Sequence, residues 1–447
     1  MSVLNSPQAP LPPSLLKMST PYTIIFLTIY FTFVITLVLI CFVLSDDHPL
    51  SILCIRTLPK ILLSPFPPSL RNKLLGSYDW IVNKPNPLMQ ITYLSIVTSA
   101  YYTMLTSGYP LIPNPYMRSW HKDFGYVVFG ICYWTFYKAC TVSPGDLREE
   151  TVERYDNYSY DNVLYIERVC ETTKFRKIAR SKYDRTVGKQ IPRFDHFCVW
   201  LNNVVGEENY RYFLLFIIVH FLMLSYGTLA SWWCILYVVK RDNLWESTYY
   251  QNSTGKNVKA SWGIVVKYLG YHEMGLCGLL ILAGVMGIVM FGFVIFHVYI
   301  CATGRSTNEF FKWRDIQGWH KRARRRYDNT SEEDRGPRFD ISKAEYEMVG
   351  VDLNKDVGCV SVTSSTTSSS KNSEKEEALN DDEKEEADES NVQDPGPFPK
   401  NIYDRGVWGN FGEVIWPRSL RESGGETKQK KTHGGGGSKK KKKKKKN

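Results

Sequence analysis

The chain has 447 residues, with 56 Lys and Arg against 45 Asp and Glu and a formal net charge of +11. Eight of those charges are the unbroken lysine run 439–446, which leaves only +3 elsewhere and excludes a distributed nucleic-acid-binding surface. Long uncharged stretches alternate with very polar ones behind a mean hydropathy of −0.26, which excludes a soluble single-core protein. The ten scattered cysteines make no disulfide framework and exclude a small secreted scaffold.

In chain order, residues 22–44 carry no charge, are rich in Ile, Leu, Val and Phe, and can cross about 30 Å of hydrocarbon. The run is too long for a signal peptide, and no small-residue cleavage site follows it. Residues 88–108 are a second uncharged run. Residues 124–140 are shorter and carry Lys138 near one end, where an ammonium can snorkel to the interface. Residues 212–239 and 274–304 are long and uncharged, each with one histidine, His220 and His297, read as neutral rings facing neighbouring helices. The pattern predicts an all-α polytopic membrane protein of about five transmembrane helices, three of them within 22–140 and two within 212–304.

Lys and Arg near the span ends set the orientation. Segment 305–326 carries eight of them and segment 174–193 another eight, so both are expected in the cytosol, and 1–21 in the lumen. Loop 45–84 is then cytosolic and loop 240–262 lumenal, where Asn252-Ser253-Thr254 fits a glycosylation acceptor. A cytosolic block at 141–211 separates the third and fourth spans and is the expected place for chemistry. Beyond the basic segment 305–360, residues 361–396 are mostly Ser, Thr, Lys, Glu and Asp and read as a disordered acidic linker. The apolar island within 397–420 is expected to dock on the membrane part, before a flexible, lysine-rich tail at 421–447. The lysine run fits attraction to anionic lipid, at about 1 kcal/mol per charge near the surface. Its end, Lys444-Lys445-Lys446-Asn447, also fits a dilysine retrieval signal for the endoplasmic reticulum.

The block at 141–211 contains Arg193-Phe194-Asp195-His196-Phe197-Cys198-Val199-Trp200, continuing to Asn203, Val205-Gly206, Asn209 and Phe213. A cysteine two residues from a histidine, itself preceded by an aspartate, supplies a nucleophile, a base and an orienting carboxylate. A thiolate is the competent nucleophile, and neighbouring His196, Lys and Arg favour it.

At these residues the sequence resembles the zinc-finger DHHC family of protein S-acyltransferases. Ser143-Pro144-Gly145 resembles that family's D-P-G element, and Ser306-Thr307-Asn308-Glu309 its T-T-x-E element. Asn401-Ile402-Tyr403-Asp404-Arg405-Gly406, with Asn410, resembles its C-terminal aromatic element. The resemblance implies a small irregular cytosolic domain between spans and a ping-pong transfer. His196, oriented by Asp195, would deprotonate Cys198, which would take the acyl group of a long-chain acyl-CoA such as palmitoyl-CoA. The group would then pass to a cysteine of a membrane-associated protein. Asn203 and Thr307 are expected to position the loop. Lys174, Lys177, Arg180, Lys182 and Lys189 are candidates to meet the CoA phosphates, with ordinary positive-inside residues as the alternative. The three spans before the block and the dilysine-like end resemble the family's endoplasmic-reticulum branch.

The pattern breaks at the metal sites. The family's two zinc ions fall, by its spacing, on Cys170, Thr173, Tyr183 and Gln190, and on Asp184, Val187, Phe197 and Val204. Structural zinc needs four thiolate or imidazole donors, with an occasional carboxylate, so no zinc and no other cofactor is expected. Packing of Phe175, Tyr183, Ile191, Phe194 and Phe197 would hold the block instead. Drift in a dead enzyme would not spare Asp195, His196 and Cys198 while erasing seven ligands, so an active acyltransferase is the favoured reading. An inactive scaffold that binds substrate proteins is the alternative, and a transporter is disfavoured by the scarcity of ionisable residues in the spans.

Overall fold

A computed structural model describes residues 66–251, 255–338 and 392–421. The expected span at 22–44, the acceptor pattern at 252–254, most of the acidic linker and the lysine run lie outside the described residues. Helix α1, Pro68–Asn83, starts on a proline, which is tolerated there because the first N–H has no helical partner. Helix α2, Leu88–Thr103, continues into a π-helical turn, Met104–Gly108, and α3, Trp120–Thr141, covers the expected run 124–140.

Helices α4, Tyr210–Arg241, and α6, Met274–Ala302, are long and apolar enough to cross a membrane, alone in this among the described residues. At 1.5 Å per residue they extend about 48 and 44 Å, beyond the hydrocarbon thickness of about 30 Å. Leu222 and Leu229 on α4, with Ile288 and Ile295 on α6, point outward, an exterior suited to lipid. The two helices pack on each other, and α3 packs on α4. The short helix α5, Trp262–His272, precedes α6.

The block between α3 and α4 corrects the expectation of irregular structure, because it is built from antiparallel hairpins. Strands β1, Arg168–Val169, and β2, Arg176–Lys177, form the first; β3, Lys182–Asp184, and β4, Lys189–Ile191, the second; β5, His196–Cys198, and β6, Asn203–Val205, the third. Each turn contains a residue with left-handed backbone, Lys174, Gly188 and Asn202 respectively, as tight hairpin connections require. The expected loop at 240–262 likewise contains a hairpin, β7, Thr248–Gln251, with β8, Lys256–Lys259.

After α6 the chain turns at Gly304 into α7, Thr307–Asn329. Ser306 caps it: its Oγ accepts from Glu309 N at 3.2 Å while Glu309 Oε2 accepts from Ser306 N at 2.8 Å. Strand β9, Arg335–Arg338, pairs in parallel with β10, Val392–Asp394. The linker assigned to 361–396 therefore stops short of 392, since Val392–Asp394 finds backbone partners that a disordered segment lacks. The island expected to dock does so. Helix α8, Gly406–Ile415, packs on α6, and Asn410 and Asn401 donate to the carbonyls of Ala302 and Thr303 at 2.9 and 3.0 Å. Those two bonds satisfy acceptors freed at the end of α6.

Candidate active site

The third hairpin places its residues by register. His196 lies opposite Val205, Phe197 opposite Val204, and Cys198 opposite Asn203. Asn203 Nδ2 donates to Ala139 O and Val142 O at 3.1 and 3.0 Å, and Asn209 Nδ2 to Val142 O and Val204 O at 3.1 and 2.8 Å. The two amides fasten the hairpin to the end of α3. Gln90, which the sequence did not single out, donates to Leu201 O at 2.8 Å and ties the turn beside Cys198 to α2. Cys198 is half-buried over an apolar cluster that includes Tyr93, Phe136, Phe213 and Phe216.

Asp195 is 2% exposed. Its Oδ2 lies 2.6 Å from His196 Nδ1, and Thr307 donates to the same carboxylate twice, from N to Oδ1 at 2.6 Å and from Oγ1 to Oδ2 at 2.8 Å. Burial by itself would raise the Asp195 pKa, but the bonds from His196 and Thr307 hold it below the usual carboxylate value. Burial by itself would lower the His196 pKa, but the Asp195 carboxylate and the neighbouring Cys198 sulfur lift it to about 10. The arrangement keeps a proton on His196.

The basic candidates separate. Arg180 is withdrawn as a phosphate contact, because it is 1% exposed and spends its guanidinium inside the protein. Its Nε and Nη2 grip Glu309 Oε1 and Oε2 at 2.7 and 2.6 Å, and Nη2 also donates to Gly304 O at 3.0 Å. Tyr158 and Tyr403 lie against its planar face, so it joins the hairpin domain, α7 and the C-terminal segment. Lys182 reaches Asn308 Oδ1 at 3.3 Å, and Lys189 pairs with Asp146 at 3.2 Å on the surface. Lys174 is exposed and Lys177 half-buried.

The positions assigned to zinc come together in two clusters of different chemistry. Thr173 Oγ1 donates to Gln190 Oε1 at 3.0 Å, Gln190 Nε2 donates to Ser181 Oγ at 2.9 Å, and Tyr183 lies opposite Gln190 in the second hairpin. Val187, Phe197 and Val204 pack with Ile191 and Phe194, while Asp184 Oδ1 accepts from Val187 N at 3.0 Å. Cys170 in the first site and Asp184 in the second are single competent donors, and the amides, hydroxyls and hydrocarbon beside them are not donors for tetrahedral zinc. These residues do not fit either ion.

Residues 164–314 match the family model described as DHHC palmitoyltransferase. That segment is similar to the DHHC palmitoyltransferases. The chain is similar to palmitoyltransferase SWF1 of Yarrowia lipolytica, 29% identical over 234 residues, which are 52% of this chain and 58% of that protein. It is also similar to palmitoyltransferase ZDHHC4 of Rattus norvegicus, 30% identical over 200 residues, 43% of this chain and 57% of that protein. Palmitoyltransferase swf1 of Schizosaccharomyces pombe is 29% identical over 241 residues, 53% of this chain and 62% of that protein. The chain thus spans about three-fifths of the length of these curated relatives. The matched segment runs from Leu164, ahead of the first hairpin, through α4 and α6 into α7, and so contains both Cys198 and its Thr307 clamp.

Proposed function

We propose that the protein is a protein S-acyltransferase that moves a long-chain acyl group from acyl-CoA, through Cys198, to cysteines of membrane-associated proteins. The observation that carries this reading is the Asp195–His196–Cys198 arrangement, clamped by Thr307 and set over an apolar cluster at the end of two membrane-length helices. Cys198 attacks the thioester carbonyl as a thiolate while His196 holds the proton. The CoA thiolate leaves and takes a proton as an acyl-enzyme forms. A substrate thiol then attacks that thioester and regenerates Cys198. Asn203 and Thr307 position the loop and take no part in bond-making. Lys174, Lys177, Lys182 and Lys189 are the side chains we assign to the CoA phosphates. No zinc or other cofactor enters any step.

We further place the chain in the membrane with five spans: residues 22–44, α2 with its π-helical turn, α3, α4 and α6. The hairpin domain, α7 and the C-terminal region then face the cytosol, as the Lys and Arg beside the spans favour. We also assign the chain to the endoplasmic reticulum, because its spans ahead of the hairpins resemble that branch of the family. The acyl chain lies among the spans and no nucleic acid is involved.

Labelled palmitoyl-CoA incubated with the purified protein should leave a hydroxylamine-sensitive adduct on the wild type and none on Cys198→Ser. An unlabelled wild type, or equal labelling of both, overturns the reading.

A further inference from the structure

Asp195 and Thr307 secure one edge of His196, and a second buried imidazole stands behind it. His297, on α6, is 1% exposed, and its ring centre lies 6.0 Å from that of His196. Its Nδ1 is 3.1 Å from the hydroxyl of Tyr210, which is itself 3% exposed and meets Cys301 Sγ at 3.4 Å. With Cys301 Sγ donating to the phenol oxygen, the phenol hydrogen is free for His297 Nδ1. Phe213 fills the remaining space. Its ring meets His196 edge-on at 5.1 Å and His297 at 4.8 Å, and Phe293 closes the far side of His297 at 4.5 Å.

We propose that His297, fixed by Tyr210, is a positioning residue that holds the His196 ring in the orientation that serves Cys198. This role rests on the acyl-transfer reading. A histidine ring turns in a broad, shallow torsional well about its last bond, and one hydrogen bond to Asp195 does not fix its tilt. Phe213 fixes the tilt only if Phe213 cannot retreat, and His297 blocks that retreat. The hydrogen bond from Tyr210 in turn stops His297 from turning, since turning would leave a buried hydroxyl without an acceptor. Tyr210 opens α4 and His297 lies near the end of α6, so the active-site ring is aligned by the two membrane-length helices as well as by its own hairpin.

The experiment compares the full chain with His297→Asn, His297→Leu and Tyr210→Phe, using Cys198→Ser as the blank. Rates of adduct formation from labelled palmitoyl-CoA, rates of Cys198 alkylation by iodoacetamide, and thermal unfolding are recorded for each. Asn offers an acceptor near the place of Nδ1, whereas Leu keeps bulk without one, and Tyr210→Phe keeps the ring but removes the hydroxyl that donates to Nδ1 and accepts from Cys301. Loss of one buried hydrogen bond that holds a reacting ring should slow His297→Leu and Tyr210→Phe roughly tenfold. His297→Asn should stay within about twofold of wild type. Wild-type rates in Tyr210→Phe, or no rescue by His297→Asn relative to His297→Leu, overturn the proposal. An unlabelled wild type overturns the acyl-transfer reading instead, and the positioning role is then judged by iodoacetamide, where equal rates in wild type and Tyr210→Phe overturn it.

Discussion

Thr307 donates its backbone N–H and its hydroxyl to the two carboxylate oxygens of Asp195, across 112 residues of sequence. The start of α7 therefore carries a working part of the hairpin that holds Cys198. A hydrogen bond to a charged group contributes about 1.5–3 kcal/mol, and losing the hydroxyl while keeping the N–H removes one of the two. Thr307→Ala should slow adduct formation by roughly ten- to a hundredfold, on the same scale. Thr307→Ser should restore most of it, because the second donor returns. Labelling time courses with palmitoyl-CoA check both, and an unchanged rate in Thr307→Ala would show that the backbone bond suffices.

Asp195 also sets a pH dependence. The folded His196 holds its proton up to about 10, above the usual 6.5 of an unperturbed ring. The stabilisation from its pairing is complete below that ordinary value and is lost as pH rises through about 10. The His196 ring signals, followed by NMR, should thus not titrate between about pH 7 and pH 9 in the wild type. Asp195→Asn removes the carboxylate, leaving burial to push the His196 pKa down. Its His196 signals should titrate at lower pH than in the wild type, and adduct formation near neutrality should fall about 10²- to 10⁴-fold. An unchanged His196 titration in Asp195→Asn would show that the carboxylate does not hold the proton there.

Arg180 and Glu309 make a second long-range link, buried and bidentate. Burial alone would raise the Glu309 pKa, and Arg180 holds it below the usual carboxylate value. Removing one partner leaves a buried charge without compensation, which costs about 3–5 kcal/mol. Glu309 Oε2 also caps Ser306 N, so the start of α7 loosens with it. Glu309→Gln should lower thermal stability strongly, and Arg180→Met with Glu309→Leu together should lower it less. Equal stability of Glu309→Gln and wild type would remove the pair from the account of the fold.

Local features were legible in the chain. Asp195, His196 and Cys198 are almost contiguous, and the two long apolar runs were found within a few residues of α4 and α6. Features made by distance were not. Arg180 reads as one more basic residue beside a span, since its partner lies 129 residues away and burial leaves no local mark. The hairpins were missed because Lys174, Gly188 and Asn202 sit in turns between strands of two or three residues, too short for an alternating pattern to emerge. Only Gly188 and Asn202 are turn-type residues. His297 was placed correctly among neighbouring helices, but nothing in sequence brings it to His196 from 101 positions away.

The two clusters that stand where the family holds metal lead to the last prediction. Phe194 is 3% exposed and packs with Ile191 and Val204 in the second. If hydrocarbon holds that corner, its truncation removes transfer energy and leaves a cavity. Phe194→Ala should therefore destabilise the domain by about 3–5 kcal/mol, read as a lower unfolding temperature. A chelator such as EDTA or phenanthroline should leave the wild-type unfolding curve and the labelling rate unchanged. A metal-held domain would respond the other way, because removing a structural ion removes folding free energy directly. Elemental analysis of the purified chain separates the two cases, and two zinc ions per chain would overturn the packed-cluster account.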